Sequence, residues 1–170
     1  LTLFQADIKK SFTNTEIFNI FKSNKRILLF LIEEKIMIFD ESIAKRIIKG
    51  KYLDYKYPQY FQPEIVQFEK ETWFPKYNKL EFDIQQEVGE QFYKQRKIGE
   101  NDNLICKLIR EDLLDDFIVY INKKNLQLDY MIDISIYETN NFLLKEKEEK
   151  TTLIEYAAFF GSIRIFNYLK

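Results

Sequence analysis

The sequence contains no histidine among its 170 residues. Histidine is the commonest general base, a member of the usual catalytic triads and a frequent zinc ligand, so its absence excludes most sites of these kinds. The single cysteine, Cys106, excludes an intramolecular disulfide framework and indicates a reducing, intracellular location. Four glycines and three prolines leave few positions for tight β-turns, which favours helices over a sheet.

An excess of charge of one sign is also missing, because 26 basic residues balance 27 acidic residues. Such a chain has no strong attraction to a phosphate backbone or to anionic lipid, so we do not expect nucleic acid as a partner. The longest dense apolar run extends from Ile27 to Ile32. A membrane-spanning helix needs roughly 20 residues, so no membrane insertion is expected.

The hydrophobic content is nevertheless 46%, and 16% of the residues are aromatic. A chain of this length and composition can bury a core as one domain or as a short run of repeats. It starts at Leu1 and stops at Lys170 within an apolar helical pattern. We therefore expect it to be a piece of a longer protein.

The first helical signal is the pair Thr13 and Glu16, whose spacing predicts a capping box. Ser23 and Asn24 interrupt the apolar pattern that follows, so two short helices joined by a tight turn are favoured over one long helix. The apolar residues that recur at helical spacing are Ile17, Ile20, Phe21, Ile27, Leu28 and Leu31.

A further helix is predicted from Asp40, a good amino-terminal cap, to Gly50, which is placed for a left-handed carboxyl-terminal cap. The tyrosine-rich stretch at 52–65 follows, broken by Pro58 and Pro63. We interpret this stretch as a connector packed onto the helices. The alternative, a stacking platform for bases, lacks the basic surroundings that it would need.

Two more helices are expected before residue 100. Pro63 can open one of them, which Pro75 should end. A capping-box-like pair, Asn78 and Glu81, precedes the other, whose apolar stripe includes Leu80, Ile84, Val88 and Phe92. This helix should reach about Ile98 and stop at Gly99, and its face of Glu, Gln and Lys should be solvated.

From residue 101 the pattern changes to pairs of short helices, the unit of an α-solenoid. Asn101 or Asp102 can cap the first helix of a pair, and Asp112 can cap the second. The apolar residues are Leu104, Ile105, Leu108 and Ile109 in the first helix, and Leu113, Leu114, Phe117, Ile118 and Ile121 in the second.

The segment at 152–169, TLIEYAAFFGSIRIFNYL, carries the clearest motif. Ala157 and Ala158 are small enough for close helix packing, and Gly161 can take the positive φ of a tight turn. The segment closely resembles the ankyrin repeat consensus. The matching positions are Thr152, Ile154, Ala157, Ala158, Gly161, Ile165, Phe166 and Leu169.

Leu153 and Glu155 depart from that family, which usually has proline and histidine there. The unit at 102–121 looks like a degenerate copy, but it lies further away than the ankyrin period of about 33 residues. The extra length forms a long insertion at about 123–150, placed by the resemblance at a hairpin tip. Its LQLDYMIDISIY stretch could be extended, and LLKEKEEK is expected to be an exposed loop or helix end.

SIYETNNFLL at 135–144 together with the ankyrin-like segment resembles a divergent ankyrin-repeat family that is expanded in protists and has no assigned function. The resemblance extends to KSNKRILLFLIEEKI and YPQYFQPEI, and so to most of the chain. It implies a fold, in which an amino-terminal part precedes a string of ankyrin repeats. It implies no activity.

Residues suited to catalysis are few. Cys106 lies among Leu104, Ile105 and Leu108, a pattern that favours a buried, inert thiol over a nucleophile. No glycine-rich phosphate loop is present, and the adjacent acidic pairs are typical of an ordinary surface. We therefore expect no catalytic residue, no cofactor and no bound metal.

The sequence thus predicts an all-α protein with an amino-terminal helical region at 1–100 and ankyrin-like helical hairpin repeats at 101–170, the last of them incomplete. We expect a non-catalytic scaffold that binds a partner protein, with Tyr137, Glu155 and Phe159 as candidate contact residues. Phe159 could equally belong to the core. Alternatively, the segment caps a longer repeat protein or is an adaptor fused to a catalytic domain elsewhere.

Overall fold

The computed structural model describes residues 2–50, 56–68, 89–144 and 150–170, which are predominantly helical, as predicted. The chain divides into two compact units, Leu1–Ile98 and Gly99–Lys170. The helices of the first unit are α1 (Thr2–Ser11), α2 (Asn14–Phe21), α3 (Lys25–Glu33), α4 (Glu41–Lys49), α5 (Tyr57–Tyr60), α6 (Gln62–Val66) and α7 (Glu90–Ile98).

The start of α2 is the predicted capping box. The Thr13 side chain accepts a hydrogen bond from the Glu16 backbone, while the Glu16 carboxylate accepts from the Thr13 N–H at 2.8 Å. Asn24 then caps a separate helix, since its side chain accepts from the Ile27 N–H at 3.0 Å. The prediction of two short helices is confirmed, although Ile20 is 56% exposed and does not join the core.

Helix α4 begins as predicted, with the Asp40 carboxylate accepting from the Ile43 N–H at 2.9 Å. Asn14 fixes this helix start against α2, because its side chain both donates to and accepts from the Ile38 backbone at 3.0 Å. The prediction of a left-handed cap at Gly50 is wrong. The chain leaves α4 there in an extended conformation, with φ −70° and ψ 147°, which does not require glycine.

The tyrosine-rich connector packs onto the helices within its described part, residues 56–68. Tyr57, Tyr60 and Phe61 are buried there, and Pro58 and Pro63 lie in the first turns of α5 and α6. The core of the first unit also contains residues of α2, α3 and α4, namely Ile17, Phe18, Leu28, Leu29, Leu31, Ile43, Ile47 and Ile48.

Helix α7 ends at Ile98 and is followed by Gly99 with φ 73°, as the sequence predicts. The expected continuation of the Pro63 helix to Pro75 lies outside the described residues. So does the expected helix start at Asn78 and Glu81.

The second unit contains α8 (Leu104–Arg110), α9 (Leu114–Lys124), α10 (Leu153–Phe160) and α11 (Ile163–Leu169), with strands β1 (Met131–Ile132) and β2 (Thr151–Thr152). The strands pair antiparallel, with Met131 opposite Thr152. Each helix contacts the other helix of its own pair, and α10 and α11 pack on α8 and α9 respectively. The buried residues shared by these elements include Ile105, Cys106, Ile109, Phe117, Ile121, Ile132, Leu153, Tyr156, Ala157 and Ile165.

The turn between α8 and α9 has a left-handed residue, Asp112, with φ 50°. The Asp112 N–H donates to the Ile109 carbonyl at 2.9 Å, and the Leu113 N–H donates to the Leu108 carbonyl at 3.0 Å. These two bonds form a Schellman motif, which satisfies carbonyls at the end of a helix.

The turn between α10 and α11 repeats this geometry. Gly161 has φ 68°, as predicted, and its N–H donates to the Ala158 carbonyl at 3.2 Å. The Ser162 N–H donates to the Ala157 carbonyl at 2.9 Å. The bonds from Gly161 and Ser162 correspond one to one to those from Asp112 and Leu113. The two helix pairs therefore share their local turn structure.

The capping predictions for α8 and α9 are wrong. Asn103, not Asn101 or Asp102, stands at the cap position of α8, and the Asn101 side chain accepts from the Asn103 N–H at 3.1 Å. Leu113 stands at the cap position of α9. The Asp112 carboxylate instead accepts from the Arg164 and Ile165 N–H groups at the start of α11.

The predictions for the insertion at about 123–150 are confirmed only in part. The predicted extended stretch contains the strand Met131–Ile132. Leu143 and Leu144, expected in an exposed loop, are 2% and 5% exposed because they pack inside the second unit. The charged residues 145–149 lie outside the described part of the chain.

Candidate protein-binding surface

The ankyrin-like segment begins with a second capping box, formed by Thr152 and Glu155. The Thr152 side chain accepts from the Glu155 backbone, and the Glu155 carboxylate accepts from the Thr152 N–H at 2.9 Å and the hydroxyl at 3.0 Å. Glu155 is exposed, but its carboxylate is used to start α10. A contact with a partner through this residue stays a prediction.

An aromatic ridge, defined here as Phe142, Phe159, Phe160 and Tyr156, extends from the surface into the core of the second unit. Phe142 stacks on Phe159, with ring centroids 5.3 Å apart and planes only 10° apart. Phe159 meets Phe160 edge-on at 5.0 Å, and Phe160 lies 4.8 Å from Tyr156. Phe142 is 65% exposed and Phe159 is 41% exposed, whereas Tyr156 is buried.

Arg110 holds the buried end of the ridge. It donates to the Tyr156 hydroxyl and to the Asn101 carbonyl, both at 2.8 Å, and pairs with the Glu100 carboxylate at 2.9 Å. Its guanidinium group also lies 5.9 Å from the centre of the Phe160 ring, close enough for a cation–π contact. These contacts hold Tyr156 and Phe160 in place, and the exposed Phe159 packs on Phe160.

Cys106 is buried beside this end of the ridge, where the Tyr156 hydroxyl is hydrogen-bonded to its thiol. Burial raises the pKa of the Cys106 thiol to about 12, although the nearby Arg110 charge opposes the change. The thiol is therefore protonated at neutral pH, and a thiol in that form is a weak nucleophile. The prediction of a buried thiol is confirmed.

Tyr137 lies on the loop at 133–140. Its N–H donates to the Ser135 hydroxyl at 3.2 Å, and Ser135 in turn donates to the Asp102 carboxylate. Partial burial, together with the Asp102 charge, raises the pKa of the Tyr137 phenol. Of the three candidate contact residues, only Phe159 lies on the aromatic ridge.

Phe142 was not predicted as a contact residue. The only sequence signal is a large apolar residue after two asparagines, and nothing in it indicates stacking with Phe159. The other motif positions are mainly structural. Ala157 and Ile165 are buried and Phe166 and Leu169 half-buried, whereas Ala158, expected at a helix contact, is exposed.

Glu138 anchors the 133–140 loop and was also not predicted, because an acidic loop residue usually lies on the surface. It is 1% exposed. Its carboxylate accepts from the Asn140 N–H at 2.9 Å, from the Asn140 side chain at 3.0 Å and from the Asn101 N–H at 3.2 Å. Burial raises the pKa of Glu138, and these donors oppose the change only in part.

Glu138 should therefore make the stability of the second unit depend on pH. Because its pKa is higher in the folded than in the unfolded chain, the folded state binds the extra proton, and stability rises as pH falls toward 4.5. Relative to a Glu138→Gln variant, the wild type should gain stability with a slope of at most about 1.4 kcal/mol per pH unit. Urea unfolding, followed by amide signals of residues 99–170, would measure this difference, and parallel pH profiles would contradict it.

The described parts of the chain contain no cluster of three acidic or cysteine side chains that could hold a metal ion. Within the same residues, none of the helices combines the length and the apolarity that crossing a bilayer requires.

Comparison with known proteins adds no relative to this picture. No family model, no curated protein and no solved structure matches the chain.

Proposed function

We propose that this chain is a non-catalytic protein-binding module, built from ankyrin-like helix pairs, whose contact surface includes the exposed end of the aromatic ridge. The observation that carries the proposal is the Phe142–Phe159 stack. Two large aromatic side chains lie 65% and 41% exposed, side by side. Adjacent exposed aromatic side chains are typical of binding surfaces, whereas single exposed apolar residues are ordinary.

The rigidity of the ridge supports this role. Phe159 contacts Phe160, which contacts the buried Tyr156, and Arg110 holds Tyr156 by a hydrogen bond at 2.8 Å. A side chain that is already ordered loses less conformational entropy when a partner binds. Binding a partner at the ridge should therefore cost less conformational entropy than binding at two unsupported phenylalanines.

The packing of the two helix pairs supports the repeat architecture. The Ser162 hydroxyl, at the start of α11, donates to the Ile109 carbonyl at the end of α8. The two interhelical turns thus have the same backbone geometry and are also hydrogen-bonded to each other. Stacked helix pairs are how repeat proteins build an extended surface for partners.

Affinity capture of the protein from its own cells tests the proposal, using the wild type beside a Phe142→Ser, Phe159→Ser double variant. A defined partner should be lost from the double variant, and binding of that purified partner should weaken at least tenfold, about 1.4 kcal/mol. Tyr137 and Glu155 are left unchanged so that the double variant tests the aromatic ridge alone, and because the Glu155 carboxylate caps α10.

Val119→Ser provides the matched control, since Val119 is 65% exposed on α9 and lies outside the ridge. It should keep the partner. The amide spectrum of the double variant should match the wild type away from the ridge. Capture of the same partners by all three proteins would show that the ridge is not a binding surface.

A further inference from the structure

The charged residues around the aromatic ridge are mainly acidic. Helix α10 and the segment 138–144, which together supply the four ridge residues, contain one glutamate each and no lysine or arginine. The segment 99–103, which is hydrogen-bonded to 138–144, is acidic as well. The acidic residues of the three segments are Glu100, Asp102, Glu138 and Glu155.

Three basic residues that adjoin the ridge in the packing or in the chain already pair with carboxylates. The pairs are Arg110–Glu100 at 2.9 Å, Lys150–Asp133 at 2.8 Å and Arg164–Asp115 at 3.8 Å. In the sequence of the whole second unit, thirteen aspartates and glutamates outnumber nine lysines and arginines. An excess of negative charge of this kind attracts cationic groups.

Glu155 brings one of these negative charges to the exposed end of the ridge. It stands four residues before Phe159 on α10, and residues at that spacing are neighbours on a helix surface. Helical side chains also lean toward the amino terminus, so the Phe159 ring leans toward Glu155, which is exposed. The Thr152 groups that donate to this carboxylate are neutral, and the cap therefore does not compensate its charge.

The phenylalanine stack presents a ring face to a cation. The planes of Phe142 and Phe159 differ by only 10°, so Phe159 covers one face of Phe142, and the 65% exposure of Phe142 leaves the other face to solvent. The face of an aromatic ring attracts cations, and the planar guanidinium group of arginine stacks on it. The ridge already makes one contact of this kind, between Arg110 and Phe160.

We propose that the exposed end of the ridge binds an arginine of a basic segment of the partner protein, with the guanidinium group stacked on the outer face of Phe142 beside the Glu155 carboxylate. The proposal rests on the protein-binding role of the chain and names the chemistry of the partner at the same site. A neutral aromatic or aliphatic side chain would also cover the stack, but it would gain nothing from the acidic surroundings. Arginine gains from both the ring face and the charge.

Three capped tetrapeptides test the proposal by amide chemical-shift titration of the full chain. They have two arginines, two citrullines or two phenylalanines between terminal glycines. Citrulline is the matched uncharged analogue, because a urea group replaces the guanidinium group. The arginine peptide should shift the amides of Phe142 and Phe159. It should bind about threefold more tightly than the citrulline peptide, as expected for one cation–π contact at an exposed site, and also more tightly than the phenylalanine peptide.

Three variants separate the ring face from the local charge and from the general charge. Phe142→Leu keeps an apolar side chain without a ring face, so it should bind the arginine and citrulline peptides equally. Glu155→Gln keeps an oxygen acceptor for the capping box but loses the charge, so it should reduce the preference for arginine by about half. Asp115→Asn removes an exposed carboxylate of α9 outside the ridge and should keep the threefold preference.

Four results would overturn the proposal. They are equal binding of the arginine and citrulline peptides, a preference for arginine that survives in Phe142→Leu, tighter binding of the phenylalanine peptide, and no shift of the ridge amides up to about 10 mM peptide. Matching amide spectra of the variants away from the ridge would show that each substitution acts locally.

The captured partner separates failure of this proposal from failure of the protein-binding role. A partner that is lost in the Phe142, Phe159 double variant, but binds equally at about 0.05 M and about 0.5 M salt and equally to Glu155→Gln, would refute only the arginine site. Capture of the same partners by the wild type and the double variant would refute the ridge as a binding surface, and the arginine site with it.

Discussion

Replacing Arg96 by alanine should lower the free energy of unfolding of the first unit by about 3–5 kcal/mol, because it breaks a buried ion pair from one side. Arg96 is 4% exposed, and its two terminal nitrogens bind the Glu64 carboxylate at 2.7 and 2.8 Å. One of them also donates to the Tyr60 carbonyl at 3.2 Å. Without Arg96, the Glu64 carboxylate stays largely buried with its charge uncompensated.

The surroundings of Arg96 add to this loss. Its guanidinium carbon lies 5.4 to 5.8 Å from the centres of the Tyr60, Phe92 and Tyr93 rings. Burial also raises the pKa of Tyr60, so its phenol stays neutral and donates to the Arg96 carbonyl at 3.2 Å. Alanine would remove the packing of the arginine stem together with the charge.

Urea unfolding followed by amide signals of the first unit would measure the effect. The matched control is Lys45→Ala, which removes an exposed pair with Glu41 whose side chains are 45% and 44% exposed. It should cost no more than about 0.5 kcal/mol. Similar losses in both variants would mean that the buried pair is no stronger than a surface pair.

The sequence predicts best those features whose partners are near neighbours in the chain. The capping box at Thr13 and the cap at Asp40 are present as predicted, and a further capping box at Thr152, which was not predicted, has the same three-residue spacing. Each depends on a side chain and a backbone group three positions apart, so the pattern of residues contains the whole interaction. Gly161 belongs to the same class, because a positive φ directly after a helix is a local requirement.

Features that join distant segments could not be predicted in this way. The Phe142–Phe159 stack and the Arg96–Glu64 pair each bring together residues from separate elements. A charged residue such as Arg96 or Glu138 is normally exposed, and only the tertiary contacts show that it is buried. Tyr137 lies on the 133–140 loop and Phe159 on α10, and their common role as contact residues stays a prediction.

Asp112 was predicted to cap α9, which is wrong, but the reason for the prediction, that an aspartate carboxylate caps helix starts, is correct. Its carboxylate does cap a helix, but that helix is α11, whose Arg164 and Ile165 N–H groups donate to it at 3.1 and 3.0 Å across 52 and 53 positions of the chain. Asp112→Ala should therefore cost about 2 kcal/mol, the upper range for loss of a helix cap, since alanine also tolerates φ 50° less well than aspartate.

Three variants at Asp112 separate the cap from the backbone strain. Asparagine tolerates the left-handed conformation and keeps one oxygen acceptor, so it should lower stability least. Glycine relieves the backbone strain but cannot cap α11, so its loss of stability should lie between those of asparagine and alanine. Urea unfolding of residues 99–170 and faster amide exchange at Arg164 and Ile165 would record this order.

Asp115→Ala is the matched control for these variants. The Asp115 carboxylate is 92% exposed and lies 3.8 Å from the Arg164 side chain, so its loss should cost at most about 0.5 kcal/mol. If amide exchange at Arg164 and Ile165 were unchanged in both the alanine and the glycine variants, the hydrogen bonds from Asp112 to α11 would contribute nothing. The packing of the two helix pairs would then depend on their apolar faces and on the two other hydrogen bonds between them, from Ser162 to the Ile109 carbonyl and from Arg110 to the Tyr156 hydroxyl.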